Sequence, residues 1–155
     1  MAIPLSKQIK MLKNDYKAIL TGCVCGVILS LGCVLVLSFL LRLSHQDYIT
    51  LLPKSITTAI GMGISEELNG NINLTIDAIL ITGILGNVCA EWICKIAHIR
   101  SKVAKGVAVG CSSHALGTTK AVQMGEIEGA VSSLSLIVTG VITVILAPLF
   151  ADIAI

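Results

Sequence analysis

Charged and aromatic residues are scarce in this sequence. Only 13% of its 155 residues are charged and 3% are aromatic, whereas 55% are hydrophobic. Soluble domains carry about a quarter charged residues and fewer apolar ones, so the composition indicates a chain that lies in a lipid bilayer. The net charge of +2 is too small to predict nucleic-acid binding, and no basic patch is interleaved with aromatic residues.

Motifs for metal binding and catalysis are also missing. None of the six cysteines forms a C-x-x-C pair, so neither a zinc site nor a disulfide framework is predicted. Cys111 and His114 have i, i+3 spacing but lack two further metal ligands. The stretch GCSSHALG departs from the G-x-S-x-G nucleophile motif because His114 replaces its second glycine. We therefore expect no metal, no cofactor and no enzymatic activity.

Long uncharged runs are present instead. Ala18–Leu41 and Gly129–Ala151 contain no charged residue, and at about 1.5 Å per residue each is long enough to cross a hydrocarbon core of about 30 Å. Ile72–Cys94 is a third candidate, with Asp77 and Glu91 near its ends, where charge is tolerated. The sequence predicts an all-α, polytopic membrane protein with one domain over 1–155 and spanning helices at 18–43, 72–96 and 129–151.

Lysine and arginine flank these predicted helices unevenly. A basic lead, residues 1–17, precedes the first helix, and a second basic cluster, residues 95–105, follows the second helix. Positively charged residues in short flanks stay on the cytoplasmic side of a membrane. We therefore predict that the N-terminus and both basic clusters are cytoplasmic.

Two polar segments, 48–70 and 106–128, interrupt the apolar pattern. The predicted orientation makes each segment begin and end on one side of the membrane, so we expect re-entrant segments that enter from opposite faces. Broken helices that cross the membrane are the alternative. Each segment contains a threonine pair, Thr57-Thr58 or Thr118-Thr119, followed by Met, Gly and acidic residues. This likeness indicates two copies of one unit in opposite orientation.

Interrupted helices of this kind are typical of secondary transporters. Helix N-termini offer free N–H groups that suit an anion, and serine and threonine hydroxyls add donors and acceptors. We predict a substrate-binding site at the membrane midplane, with Lys54 or Lys120 balancing a carboxylate. Its predicted members are Lys54, Ser55, Thr57, Thr58, Ser113, His114, Gly117, Thr118 and Thr119. The alternative is that these groups only hydrogen-bond neighbouring helices.

Small residues mark one face of the first predicted helix. Gly22, Gly26 and Ser30 lie four residues apart, a spacing that lets another helix approach closely. We predict that this face packs within the bundle. A seam between two copies of the chain, and hence a homo-oligomer, is the alternative.

Three stretches of the chain resemble the LrgB/CidB family of bacterial antiholin-like and holin-associated membrane proteins. They are LLPKSITTAIGMGISEELNG, ITGILGNVCAEWICKIAHIRSKVAKGVAVGCSSHALGTTKAVQMGEIEGAVSSL and VITVILAPL. The most specific motifs are PKSITT and SSHALGT, and the resemblance covers nearly the whole chain. In this family the stretch AIPLSKQ follows further hydrophobic segments, so the chain is expected to lack the family's N-terminal helices.

This resemblance implies a multi-pass protein of the bacterial cytoplasmic membrane. Family members modulate murein hydrolase export and cell lysis together with a small holin-like partner of the LrgA/CidA type. Others, including plastid relatives, are linked to transport of small carboxylates such as pyruvate, glycolate or glycerate. The polar segments favour carboxylate transport as the molecular function. The alternatives are a non-transporting regulator of the holin-like partner and an inactive fragment.

Overall fold

The computed structural model is helical throughout and describes the backbone of residues 2–153 and the side chains of residues 15–153. It contains helices α1 (Ala2–Leu41), α2 (His45–Leu51), α3 (Thr58–Glu67), α4 (Ile72–Ile96), α5 (Lys102–Met124) and α6 (Glu126–Ala151). No strand occurs within the described backbone. The predicted all-α class is therefore confirmed.

Three helices have the length and apolarity to cross a membrane: α1 over Asp15–Leu41, α4 and α6. They correspond to the three predicted spanning helices: α4 has the predicted bounds, whereas the ends of the other two differ. The backbone of α1 is already helical within the basic lead, where the side chains of residues 1–14 lie outside the described part. Helix α6 begins at Glu126, before the predicted start, because acidic residues in a first turn favour the helix N-terminus.

The first polar segment folds into a hairpin of α2 and α3. Pro53 cannot donate the backbone hydrogen bond that would continue α2, so the helix ends just before it. The Asn71 N–H donates to Thr50 Oγ1 over 2.9 Å. Thr75 Oγ1, in the first turn of α4, lies 2.9 Å from the Thr50 carbonyl oxygen and 2.8 Å from Ser65 Oγ. The two ends of the segment therefore lie side by side.

The second polar segment forms a hairpin within α5. His114 has φ 41° and ψ −137°, which breaks the helix into two arms. Val109 on one arm and Ala121 on the other pack in one buried cluster with Ala90 of α4. In a straight helix twelve residues would separate them by about 18 Å. The chain thus reverses sharply at His114.

Both arms of this second hairpin pack against the beginning of α6. A Cβ atom placed on Gly110 would lie 2.5 Å from the Ser132 carbonyl oxygen, so the first arm touches the α6 backbone. Thr118 Oγ1, on the second arm, lies 2.9 Å from Ser132 Oγ. Each hairpin therefore packs both arms against the helix that follows it, α4 for the first and α6 for the second.

The two hairpins open at opposite ends of the bundle. Lys120, near the end of α5, pairs with Glu91 near the end of α4, at 3.2 Å. The end of α4 thus lies beside the mouth of the second hairpin, whereas the start of α4 lies beside the mouth of the first. Asp15 of α1 and Ser101 of the α4–α5 loop line one cavity, at the end of the bundle where α4 ends and α5 begins. The start of the first span and the second basic cluster therefore share one end of the molecule, as the predicted orientation requires.

The small-residue face of α1 packs inside the chain. A Cβ atom on Gly22 would lie 2.9 Å from the Val107 side chain, and one on Gly26 would lie 3.2 Å from Cys111 Cβ. Helix α5 therefore occupies this face, which is the packing role predicted from the sequence.

Candidate functional site

The tips of the two hairpins meet near the middle of the bundle. Ser55 Oγ in the first tip, residues 53–57, lies 2.9 Å from Ser30 Oγ, near the middle of the α1 span. In the second tip, residues 112–115, Ser113 is in direct contact with Gly86, near the middle of α4. Two breaks that lie far apart in sequence thus line one cavity near the middle of the bundle.

An open groove of about 650 Å³ lies between α1, α4 and the two tips. We call it the central groove. Leucine, isoleucine, valine, glycine and cysteine line most of its wall. Its polar side chains are those of Ser30, Lys54, Ser55, Thr82, Ser112 and Ser113. A mostly apolar concavity with a few convergent polar groups is the usual form of a small-molecule site.

Lys54 is the only charged residue in the wall of the central groove, as far as the described side chains show. Its Nζ donates to Ser55 Oγ over 3.2 Å. The ion pairs among residues 15–153 join Lys95 and Lys120 to Glu91, so none involves Lys54. An ammonium has three donors, and here one of them is used within the chain. Lys54 can therefore donate to an anion in the groove.

Ser112 and Ser113 supply hydroxyls from the second tip. Their Oγ atoms lie 2.9 Å apart, with Ser113 buried and Ser112 exposed. Gly86 permits this approach, because any side chain there would collide with Ser113. The groove therefore has a lysine and serine on one tip and two serines on the other.

His114 holds the second tip against α4. Its Nε2 lies 2.8 Å from the Ile79 carbonyl oxygen, and its ring is buried. A Cβ atom on Gly83 would lie 2.5 Å from the imidazole Cε1, so glycine is needed where the ring crosses α4. His114 does not line the central groove. Its contacts give it a positioning role for the tip.

The remaining predicted site residues lie outside the wall of the central groove. Thr118 Oγ1 bonds the His114 carbonyl oxygen and Ser132. Thr119 Oγ1 accepts a hydrogen bond of 2.8 Å from Asn87 Nδ2, a contact that the sequence did not indicate. Gly117 packs against Ser113, and Thr57 and Thr58 are half-buried at the start of α3. Substrate binding by these residues stays a prediction.

The structure changes the interpretation of two residues, Lys120 and Ser30. Lys120, offered as an alternative to Lys54, pairs with Glu91 and lines a different cavity, because the second arm of the hairpin carries it towards the end of α4. Ser30, interpreted only as part of a packing face, contributes a hydroxyl to the groove. Its distance of 2.9 Å from Ser55 is a long-range contact that helical spacing does not reveal.

Comparison with known protein families matches residues 1–153 to the LrgB-like family. The chain belongs to this family. It is 34% identical over 148 residues to the holin-like protein CidB of Staphylococcus epidermidis and 35% identical over 148 residues to that of Staphylococcus aureus. It is also 34% identical over 149 residues to the antiholin-like protein LrgB of Bacillus cereus.

Each of these matches covers 96% of the chain but 65% of the relative. The LrgB-like chain thus spans about two thirds of the length of its bacterial relatives. No solved structure matches it. The family resemblance found in the sequence motifs is confirmed. Together with the three helices of spanning length, the relatives indicate a bacterial membrane protein.

Proposed function

We propose that this LrgB-like chain carries small carboxylates, of the pyruvate or glycolate type, across the bacterial cytoplasmic membrane. This proposal rests on the arrangement of the central groove. Both hairpin tips line it, and Lys54 in its wall forms no ion pair with a carboxylate of residues 15–153. The Lys54 ammonium binds the carboxylate, and the hydroxyls of Ser55, Ser112 and Ser113 complete its hydrogen bonds. The apolar wall accepts the short carbon chain.

The first break supplies a further feature that suits an anion. Helix α3 begins at Thr58, three residues after Ser55, and its N-cap residue Thr57 makes no side-chain capping bond. The first N–H groups of a helix lack partners within the helix and carry partial positive charge. A carboxylate beside Lys54 therefore meets the positive charge of the ammonium, and the start of α3 follows in the same break of the chain.

In this proposal the two hairpins are re-entrant and enter from opposite membrane faces. The adjacency of Thr50 and Asn71 supports re-entry of the first segment. The shared contacts of both α5 arms with Ser132 support it for the second. Non-helical backbone at membrane depth is tolerated where protein or water satisfies it, and at the first tip the N–H groups of Lys54 and Ile56 donate to the carbonyl oxygens of Leu51 and Pro53.

Single-cysteine labelling in cells tests the re-entrant topology. On a cysteine-free background, we expect cysteines at Glu67 and Asn71 to react with an impermeant maleimide added outside. A cysteine at Ser101 is expected to react only after the cells are opened, because the basic cluster beside it stays inside. Labelling of position 101 from outside would show crossing segments or an inverted chain.

Uptake by purified protein in liposomes tests transport directly. In a counterflow assay, in which the liposomes are preloaded with unlabelled substrate, we expect the wild type to accumulate labelled pyruvate or glycolate. Thr118→Val should transport at a similar rate, because the Thr118 hydroxyl bonds Ser132 and the His114 carbonyl, away from the groove. The same variant should lose about 1 kcal/mol of stability, the typical value of one hydrogen bond. Abolished uptake in a folded Thr118→Val protein would instead support the sequence prediction that Thr118 binds substrate.

A second function is favoured by the names of the relatives, which are called holin-like and antiholin-like. The chain then regulates a small holin-like membrane protein of the LrgA/CidA type and, through it, murein hydrolase export and lysis. It acts alone or as a homo-oligomer, and no transport is required. Co-purification of that partner separates the two functions, since in this second case complex formation does not need Lys54.

A further inference from the structure

A second cavity, of about 420 Å³, lies at the mouth of the second hairpin. The end of α4, the α4–α5 loop, both ends of α5 and the start of α6 form its wall. We call it the basic cavity. It shares no lining residue with the central groove, so it is a separate site on the protein and does not depend on the proposed transport function.

The basic cavity carries an excess of positive charge. Lys95, Arg100, Lys105 and Lys120 line it together with two carboxylates, Glu91 and Glu128, which leaves two positive charges uncompensated. Glu91 is already held by Lys95 and Lys120, at 3.2 Å each. Among residues 15–153 no carboxylate forms an ion pair with Arg100 or Lys105. Those two cations are therefore open to an anionic ligand.

Glu128 adds a requirement for a hydrogen-bond donor. Glu128 lines the basic cavity, although the residue is only 4% exposed and its Oε2 atom is buried against Gly125. Within the described part of the chain, its Oε2 atom has no hydrogen-bond partner. A buried polar atom without a partner is costly, and a charged one more so. A ligand that brings an O–H group to Oε2 removes this cost.

We propose that the basic cavity binds a phosphate group that retains a proton, with hydrogen phosphate as the simplest ligand. Its two negative charges match the two uncompensated cations. The Glu128 carboxylate turns from Gly125 towards the cavity and accepts from the P–OH, and the other phosphate oxygens accept from Arg100 and Lys105. Arginine and lysine are the usual protein partners of phosphate oxygens. The cavity is larger than the ion, so the headgroup of a phosphate-monoester lipid also fits.

Paired titrations of phosphate and sulfate test this assignment. Sulfate has the same shape and charge as hydrogen phosphate but carries no proton at neutral pH. By calorimetry on the purified chain in detergent, we expect phosphate to bind at least about tenfold more tightly than sulfate, since a site built for a donor rejects an analogue that lacks it. Glu128→Gln should bring this ratio to about one, because the amide can donate to either anion.

Charge variants provide the matched controls. Lys105→Gln should weaken both anions alike, by about tenfold, because it removes one charge-assisted hydrogen bond and leaves Glu128 in place. Lys102→Gln, at an exposed position that does not line the cavity, should change neither affinity. Equal binding of both anions by the wild type would overturn the proposal. A phosphate preference that survives Glu128→Gln, or no phosphate binding at all, would also overturn it.

Lipid nanodiscs distinguish the two sources of the phosphate group. If the ligand is a lipid headgroup, discs that contain phosphatidic acid should suppress the phosphate titration, and discs of phosphatidylcholine alone should not. If the ligand is the free ion, both kinds of disc should give the same titration. Either result supports recognition of a phosphate group by Glu128, Arg100 and Lys105 when the detergent titrations show the phosphate preference.

Discussion

Lys54→Met is expected to abolish most carboxylate uptake while leaving the protein folded. The substitution removes the one charge found among the described side chains of the central groove. A hydrogen bond to a charged group contributes about 1.5–3 kcal/mol, which corresponds to a loss of roughly 10- to 150-fold in affinity. The measurement is the initial rate of pyruvate uptake into liposomes over a range of concentrations. The rate should fall most at low concentration.

Two further variants show whether the charge itself is responsible. Lys54→Arg keeps the positive charge and should retain part of the uptake, although a planar guanidinium does not reproduce the geometry of an ammonium. Lys102→Met removes a positive charge from an exposed position outside the groove and should be neutral. Uptake at wild-type rates by a folded Lys54→Met protein would exclude the central groove as the carboxylate site. The phosphate titrations at the basic cavity would be unaffected by that result.

Gly110→Ala is expected to destabilise the bundle by about 1–3 kcal/mol, the usual cost of overpacking. The new Cβ atom would lie 2.5 Å from the Ser132 carbonyl oxygen and 3.0 Å from the Ser132 Cα. Both are backbone atoms, so no side-chain rotation relieves the contact and the first arm of the hairpin must move away from α6. The thermal unfolding midpoint in detergent should fall, together with the yield of monodisperse protein.

Gly32→Ala is the matched control for this experiment. Gly32 is also a helical glycine in the bundle, but a Cβ atom there would meet nothing within 4 Å. Replacing a helical glycine by alanine without a clash stabilises by about 0.5–1 kcal/mol. Opposite shifts in the unfolding midpoint are therefore expected for the two variants. A Gly110→Ala protein as stable as Gly32→Ala would contradict the close packing of α5 on α6.

The spanning helices could be predicted from the sequence because the bilayer sets a minimum length for an apolar run. The first break could also be predicted, since Pro53 lacks the N–H that helix continuation needs. The second break is different. Nothing in the type of residue 114 requires a reversal, and the structure fixes it there through the bond from the His114 ring to the Ile79 carbonyl. That contact crosses 35 residues and has no local signature.

For the same reason, the sequence did not indicate which of the predicted site residues line the central groove. Lys54, Ser55 and Ser113, three of the predicted site residues, line the groove. The threonine pairs looked equally suitable because hydroxyls suit both ligand binding and helix packing. The Thr118 hydroxyl lies 2.9 Å from Ser132 Oγ, a partner supplied by the next helix. Whether a hydroxyl binds a ligand or a neighbour depends on what packs against it, which local sequence does not encode.

The packing of each hairpin on the helix that follows it constrains how the protein is made. Thr75 joins both ends of the first hairpin, and Ser132 contacts both arms of the second. During synthesis each polar hairpin leaves the ribosome before the helix that satisfies its hydrogen bonds. Unpaired backbone groups are not stable in lipid. With the re-entrant topology proposed above, each hairpin is expected to stay at the membrane surface or in the translocation channel until its helix arrives, and the bundle is expected to assemble in two delayed steps.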